Sequence, residues 1–136
     1  GQADYDPTHR TGLAVVRWIA DHDTGNRILV SSFNTQTLDA VKNLDPAIRT
    51  GLLARSWFDP IAVVQQARDG GHVSANLSLI RTLSEAERIV DSAEGLPVLV
   101  WTVNDPDHAV ALADAGIAGI FTDDPGLMLR VLSGRE

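Results

Sequence analysis

The 136-residue chain has no cysteine and a single lysine, Lys42. The first absence excludes disulfides, thiolate zinc sites and a cysteine nucleophile, and it leaves the redox compartment open because secreted proteins can also lack cysteine. The phosphate loop Gly-x-x-x-x-Gly-Lys does not occur, nor does the dinucleotide fingerprint Gly-x-Gly-x-x-Gly. No Gly-x-Ser-x-Gly elbow is present to activate Ser31 or Ser32 as a hydrolase nucleophile. Apolar runs all fall short of the roughly 18 to 20 residues that cross a bilayer. The start, Gly1-Gln2-Ala3-Asp4, carries neither the basic nor the hydrophobic stretch of a signal peptide. The expectation is a soluble chain without a membrane span, cytoplasmic or secreted. Basic charge is scarce as well: 11 basic against 18 acidic residues give a net charge of -7, with the arginines scattered. Nucleic acid is not expected as a partner.

What is present is a regular alternation. Apolar segments at Ile28 to Phe33, Gly51 to Ala54, Val73 to Leu77, Pro97 to Val103 and Ile117 to Phe121 start 20 to 24 residues apart, the period of a strand plus a crossover helix. Asp6-Pro7, Asp59-Pro60, Asp105-Pro106 and Asp124-Pro125 each put a side-chain acceptor at a helix cap and a proline at the first helical position. Asn34 serves as a further cap, and Thr82 with Glu85 spells a capping box. Asp45-Pro46 marks a loop after a helix, and Gly25, Gly70-Gly71, Gly95 and Gly116 mark helix exits. Continuous runs such as Val98-Leu99-Val100 suit a parallel sheet. The pattern predicts an α/β fold of parallel (βα) repeats. Its strand C-terminal ends gather Ser31 to Phe33, Arg55 to Trp57, Asn76, Trp101, Asn104, Thr122 and Asp123 on one face, where sites of such folds form.

A metal-dependent phosphodiesterase needs clustered carboxylates for a hard cation and a histidine as acid or base. His9, His22, His72 and His108 all fall away from strand C-terminal ends, so surface or capping roles are expected for them. Asp123 and Asp124 are adjacent carboxylates at the correct end of a strand: Asp124 reads as a helix cap, while Asp123 reads equally as a metal or hydroxyl ligand. Trp101 is the strongest candidate, because a tryptophan at a strand mouth can lay its ring on a ligand and keep its N–H in contact with water, with core packing as the other reading of its position.

Three motifs then carry a family likeness. "ILVSSFNTQTL", "VLVWTVNDPDHAV" and "GIAGIFTDDP" resemble, in order and spacing, the C-terminal half of glycerophosphodiester phosphodiesterases. Ala118 departs from the pattern, where an aspartate is frequent. The resemblance implies a TIM barrel that hydrolyses glycerophosphodiesters to glycerol 3-phosphate and an alcohol with a divalent cation, Mg2+ or Ca2+. It assigns Trp101 to the glycerol pocket, with Asn104 beside it. The family's catalytic histidines and metal carboxylates belong to its N-terminal half, and none is matched here, so no catalytic or metal-binding residue is assigned and the chain alone is expected to be inactive.

Residues 1–136 then read as one partial barrel domain, since a full barrel needs at least ~200 residues. An open half is expected to associate with a second half-barrel, either another copy or an N-terminal segment. Two alternatives stay open: a noncatalytic half-barrel that self-assembles or binds small phosphorylated ligands, and a doubly wound module with helices on both sheet faces.

Overall fold

The computed structural model describes residues 29–134. The first helix expected from Asp6-Pro7, with His9, His22 and Gly25, lies outside the described residues.

Five parallel strands alternate with helices. They are β1 (Leu29–Ser32), β2 (Arg49–Leu53), β3 (Ser74–Ser78), β4 (Val98–Trp101) and β5 (Gly119–Ile120). The helices are α1 (Thr35–Leu44), α2 (Pro60–Asp69), α3 (Leu79–Thr82), α4 (Ala86–Ala93), α5 (Pro106–Asp114) and α6 (Pro125–Ser133), with a 3-10 turn at Leu83–Glu85 between α3 and α4. Strand order follows chain order, β1-β2-β3-β4-β5, without a switch point.

Local chemistry sets most boundaries. Asn34, Asp59, Asp105 and Asp124 each accept from a first-turn amide, those of Thr37, Ile61, Asp107 and Leu127. Prolines follow the three aspartates at the first helical position, where the missing N–H costs nothing. Asp45 closes α1, donating its amide to the Val41 carbonyl, so Asp45-Pro46 is a loop as its position in the sequence suggests. The expected capping box does not form. Thr82 instead donates its hydroxyl to the Ser78 carbonyl at 2.8 Å, which continues the short helix α3 through this point. Helix α4 therefore starts later, at Ala86, with no side-chain cap.

Residues alternate between the two sheet faces, and among the described residues one face meets the helices in a shared buried cluster. Leu52, Ala75, Leu77, Val98 and Val100 from the strands share one buried cluster with helix residues. Leu38 of α1, Val64 and Ala67 of α2, Ile89 of α4, Leu112 of α5 and Met128 of α6 complete that cluster. Full burial of a leucine such as Leu38 or Leu112 stabilises by about 1.5–3 kcal/mol. Because α1, α2, α4, α5 and α6 all share one buried cluster with the strands, the described residues form a sheet covered by helices on one side and not a doubly wound sheet.

The opposite face carries Ser31, Gly51, Leu53, Ser74, Asn76, Ser78, Leu99, Trp101 and Gly119, consistent with the registers Ser31↔Gly51↔Ser74 and Asn76↔Leu99↔Gly119. The continuous apolar reading fails at β3, which alternates polar and apolar residues. Asn76 is fully buried in mid-strand and does not sit at the strand end. Its Nδ2 donates to the Ser31 Oγ at 2.9 Å, and its Oδ1 accepts from the Ser74 hydroxyl at 2.8 Å. The contact with Ser31 passes over β2 at Gly51, where a Cβ would come within 2.6 Å of the Ser74 Oγ and 2.9 Å of the Asn76 Nδ2.

Candidate functional site at the strand ends

Trp101 closes β4, half-buried, with its ring at the C-terminal rim on the inner face. Its indole N–H is not left to water: Nε1 donates to the main-chain carbonyl of Asn76 at 3.2 Å. That carbonyl also accepts the Ala54 amide at 3.0 Å. The ring is fixed by a neighbouring strand and offers a ligand its face and edge, with the polar handle already spent. The Trp101–Thr102 peptide bond is cis.

Phe33, one residue beyond β1, meets Trp101 edge to face, with centroids 6.1 Å apart and planes at 84°. This is a favoured arrangement for two aromatic rings. The Arg55 guanidinium lies over the other ring of this pair, 4.2 Å from the Phe33 centroid, and 5.7 Å from that of Trp57. Trp57 in turn leans on Phe58 at 6.2 Å. The ends of β1, β2 and β4 thus share one stack in the order Trp101, Phe33, Arg55, Trp57. Trp57 is 71% exposed, so the stack opens to solvent at its outer end. The sequence placed Arg55 to Trp57 on this rim but gave Arg55 no role. The available signal was an arginine next to a tryptophan on one strand end, with Phe33 on the adjacent one.

Asn104 stands three residues beyond Trp101 and holds the turn after β5. Its Oδ1 accepts from the Thr122 hydroxyl at 3.1 Å and the Asp123 amide at 3.0 Å, while its Nδ2 donates to the Asp123 carboxylate at 2.9 Å. Asp124 caps α6 through the Leu127 amide at 3.1 Å, as its sequence context suggests. The structure therefore brings Asn104, Thr122 and Asp123 together, and brings Trp101 together with Phe33 and Arg55.

The histidines lie elsewhere. His72 precedes β3, at the opposite end of the strands from Trp101. It is neither a surface nor a capping residue: it is buried, with its Nδ1 2.8 Å from the Thr50 Oγ1. Burial pushes its imidazole below the usual pKa, the Lys42 ammonium acts in the same direction, and Asp39 opposes. Lys42 is tied nearby to the Gly70 and Gly71 carbonyls at 3.1 and 2.7 Å. His108 stands in the first turn of α5 with its Nε2 3.8 Å from Asp105 Oδ2.

A divalent cation of the Mg2+ or Ca2+ type requires several converging oxygen ligands. Among the described residues no group of three or more His, Cys, Asp or Glu side chains converges. The one adjacent pair at the rim has Asp124 committed to its helix cap and Asp123 to Asn104. The described residues do not fit such a centre. No helix among them is long and apolar enough to cross a membrane.

Comparison with known proteins agrees with this architecture. The family model described as "Glycerophosphoryl diester phosphodiesterase family" matches residues 4–127. A glycerophosphodiester phosphodiesterase of Caldanaerobacter subterraneus subsp. tengcongensis is 24% identical over 119 residues, covering 87% of this chain and 47% of the relative. Among solved structures, a glycerophosphodiester phosphodiesterase from Parabacteroides distasonis superposes with a TM-score of 0.80 at 20% identity, over 97% of this chain and 55% of the other. An Oleispira antarctica phosphodiesterase in complex with the product sn-glycerol-3-phosphate gives 0.78 at 23% identity, over 92% and 50%. The chain thus spans about half the length of the relatives it matches. The one-sided wall of (βα) units is the fold of these barrel proteins, and the chain belongs to the glycerophosphoryl diester phosphodiesterase family.

Proposed function

We propose that this chain forms the substrate-facing C-terminal wall of a barrel that hydrolyses glycerophosphodiesters to glycerol 3-phosphate and an alcohol. The observation that carries the reading is the Trp101 ring, held at a strand mouth by the Asn76 carbonyl and the Phe33 edge. A glycerol unit has a carbon backbone that packs on an aromatic face, and packing there excludes water from one side of the diester. In this reading Asn104 borders the glycerol end, where it fixes the Thr122–Asp123 turn after the neighbouring strand.

In this reading the divalent cation, Mg2+ or Ca2+, and the general acid and base come from residues outside those described. When bound, the cation supplies charge neutralisation at the phosphodiester. The chain's own residues bind and orient the glycerol end. The partner is a second half-barrel, whether a further copy or an N-terminal segment. The support for it is the wall itself: β1 and β5 each pair on one side only among the described residues, and parallel edges of this kind invite pairing.

The test is release of glycerol 3-phosphate from a panel of glycerophosphodiesters with Mg2+ or Ca2+, by the chain alone and after adding an N-terminal half from a family member. Turnover that appears only with both halves is the expected result. Substrate binding without turnover by the completed barrel supports a noncatalytic ligand-binding wall instead, and neither binding nor turnover overturns the proposal.

A further inference from the structure

We propose that Arg55 determines the alcohol group of the substrate, turning the site away from cationic alcohols such as choline and ethanolamine and toward neutral ones such as glycerol or another polyol. This rests on the glycerophosphodiester reading above and deepens it.

The argument starts from the rim aromatics. Exposed tryptophan and phenylalanine faces clustered at a site mouth are what a quaternary ammonium seeks, because the ring quadrupole attracts a cation within about 6 Å of the centroid. Phe33 and Trp57 turn their rings toward one shared cation position of this kind. Here the position is already filled from within the chain. The Arg55 guanidinium sits 4.2 Å from the Phe33 centroid and 5.7 Å from that of Trp57. A guanidinium keeps its charge at any working pH, so no change of conditions vacates the site electrostatically.

A choline group arriving there meets occupied ring faces and a like charge at once. The same guanidinium attracts the diester phosphate that every substrate of this class carries. The shared part of the substrate is thus favoured and the cationic alcohol selectively disfavoured. Phe33 links this cation to Trp101 through its edge contact, so a ligand resting on Trp101 lies one ring away from the charge.

The two candidates to compare are sn-glycero-3-phosphocholine and glycerophosphoglycerol, which share the glycerol and phosphate and differ in alcohol charge. Their binding to the chain is read by quenching of tryptophan fluorescence and by calorimetry at low salt. The expected result is at least about five-fold tighter binding of glycerophosphoglycerol, the scale of one like-charge contact at a partly exposed position. Arg55→Gln brings the ratio close to one, Arg55→Lys retains it, and raising the salt shrinks it in the unsubstituted chain.

The salt series and Arg55→Lys keep the test decisive where Arg55→Gln fails to fold. Equal binding of both diesters, or a preference unchanged by salt and by Arg55→Gln, overturns the role of Arg55 and leaves the glycerophosphodiester reading standing. Binding of neither diester, by the chain alone or after adding an N-terminal half from a family member, overturns both.

Discussion

The Trp101 indole donates its N–H to the main-chain carbonyl of Asn76, 25 residues earlier and one strand away, at 3.2 Å. The ring that faces the rim is therefore anchored by backbone and not by a side chain that could turn. Trp101→Phe removes the donor but leaves the Asn76 carbonyl bonded to the Ala54 amide, so no buried acceptor is stranded. Urea unfolding should show a loss of only about 1 kcal/mol. Trp101→Ala also removes the surface on which the glycerol unit rests, and glycerophosphodiester affinity measured by calorimetry should fall ten-fold or more.

Gly51 lies beneath the Asn76 contacts, and any side chain there collides with the Ser74 hydroxyl and the Asn76 amide. Gly51→Ala should cost about 1–3 kcal/mol, the range for overpacking. Asn76→Ala should cost a similar amount by leaving the Ser31 and Ser74 hydroxyls without their partner. The double variant should lose less than the sum, by at least about 0.5 kcal/mol, because the second change removes one of the two side chains the first strikes. Additive losses in denaturant titrations would show that the two sites act separately.

His72 makes stability depend on pH. Its folded-state pKa lies below the unfolded value of 6.5, so the unfolded chain binds the proton more readily. The contribution is fully present above pH 6.5, falls as the pH drops from there toward the lowered folded value, and is flat below it. Unfolding free energies measured from pH 8 downward should decline in that window. His72→Gln should flatten this part of the curve.

The Asn104 amide uses both its donor and its acceptor on the Thr122–Asp123 turn. Asn104→Ala should loosen that turn and weaken substrate binding several-fold. Asn104→Asp preserves the acceptor but sets a carboxylate against that of Asp123, so at neutral pH it should be more destabilising than alanine. Melting temperatures of the two variants at neutral pH should show Asn104→Asp below Asn104→Ala.

Legibility followed the range of the interactions. The caps at Asp59, Asp105 and Asp124 could be read from the sequence because a carboxylate two or three residues from its amide is a local matter. The apolar strand pattern placed Trp101 at a strand end, and the family motifs implied the barrel architecture. The role of Asn76 was hidden because its partners, Ser31 and the Trp101 indole, are distant in sequence and meet only through the sheet. The capping box at Thr82 lost to a competing local bond: its hydroxyl found a backbone carbonyl one turn back. The position of His72 away from the strand C-terminal ends suggests a surface or capping role, yet Thr50 on the neighbouring strand receives it in the interior. Arg55 acquires its position from Phe33, 22 residues away.

The bond from Ser31 to Asn76 ties the first strand to the third. In a flat sheet strands two places apart stand about 9.6 Å from each other, a span that short side chains bridge more readily when the sheet bends toward them. With no Cβ between them at Gly51, the two residues act as a strap across the inside of a curve. This segment thus carries part of its own radius, and a neighbouring strand has to match a bend already set.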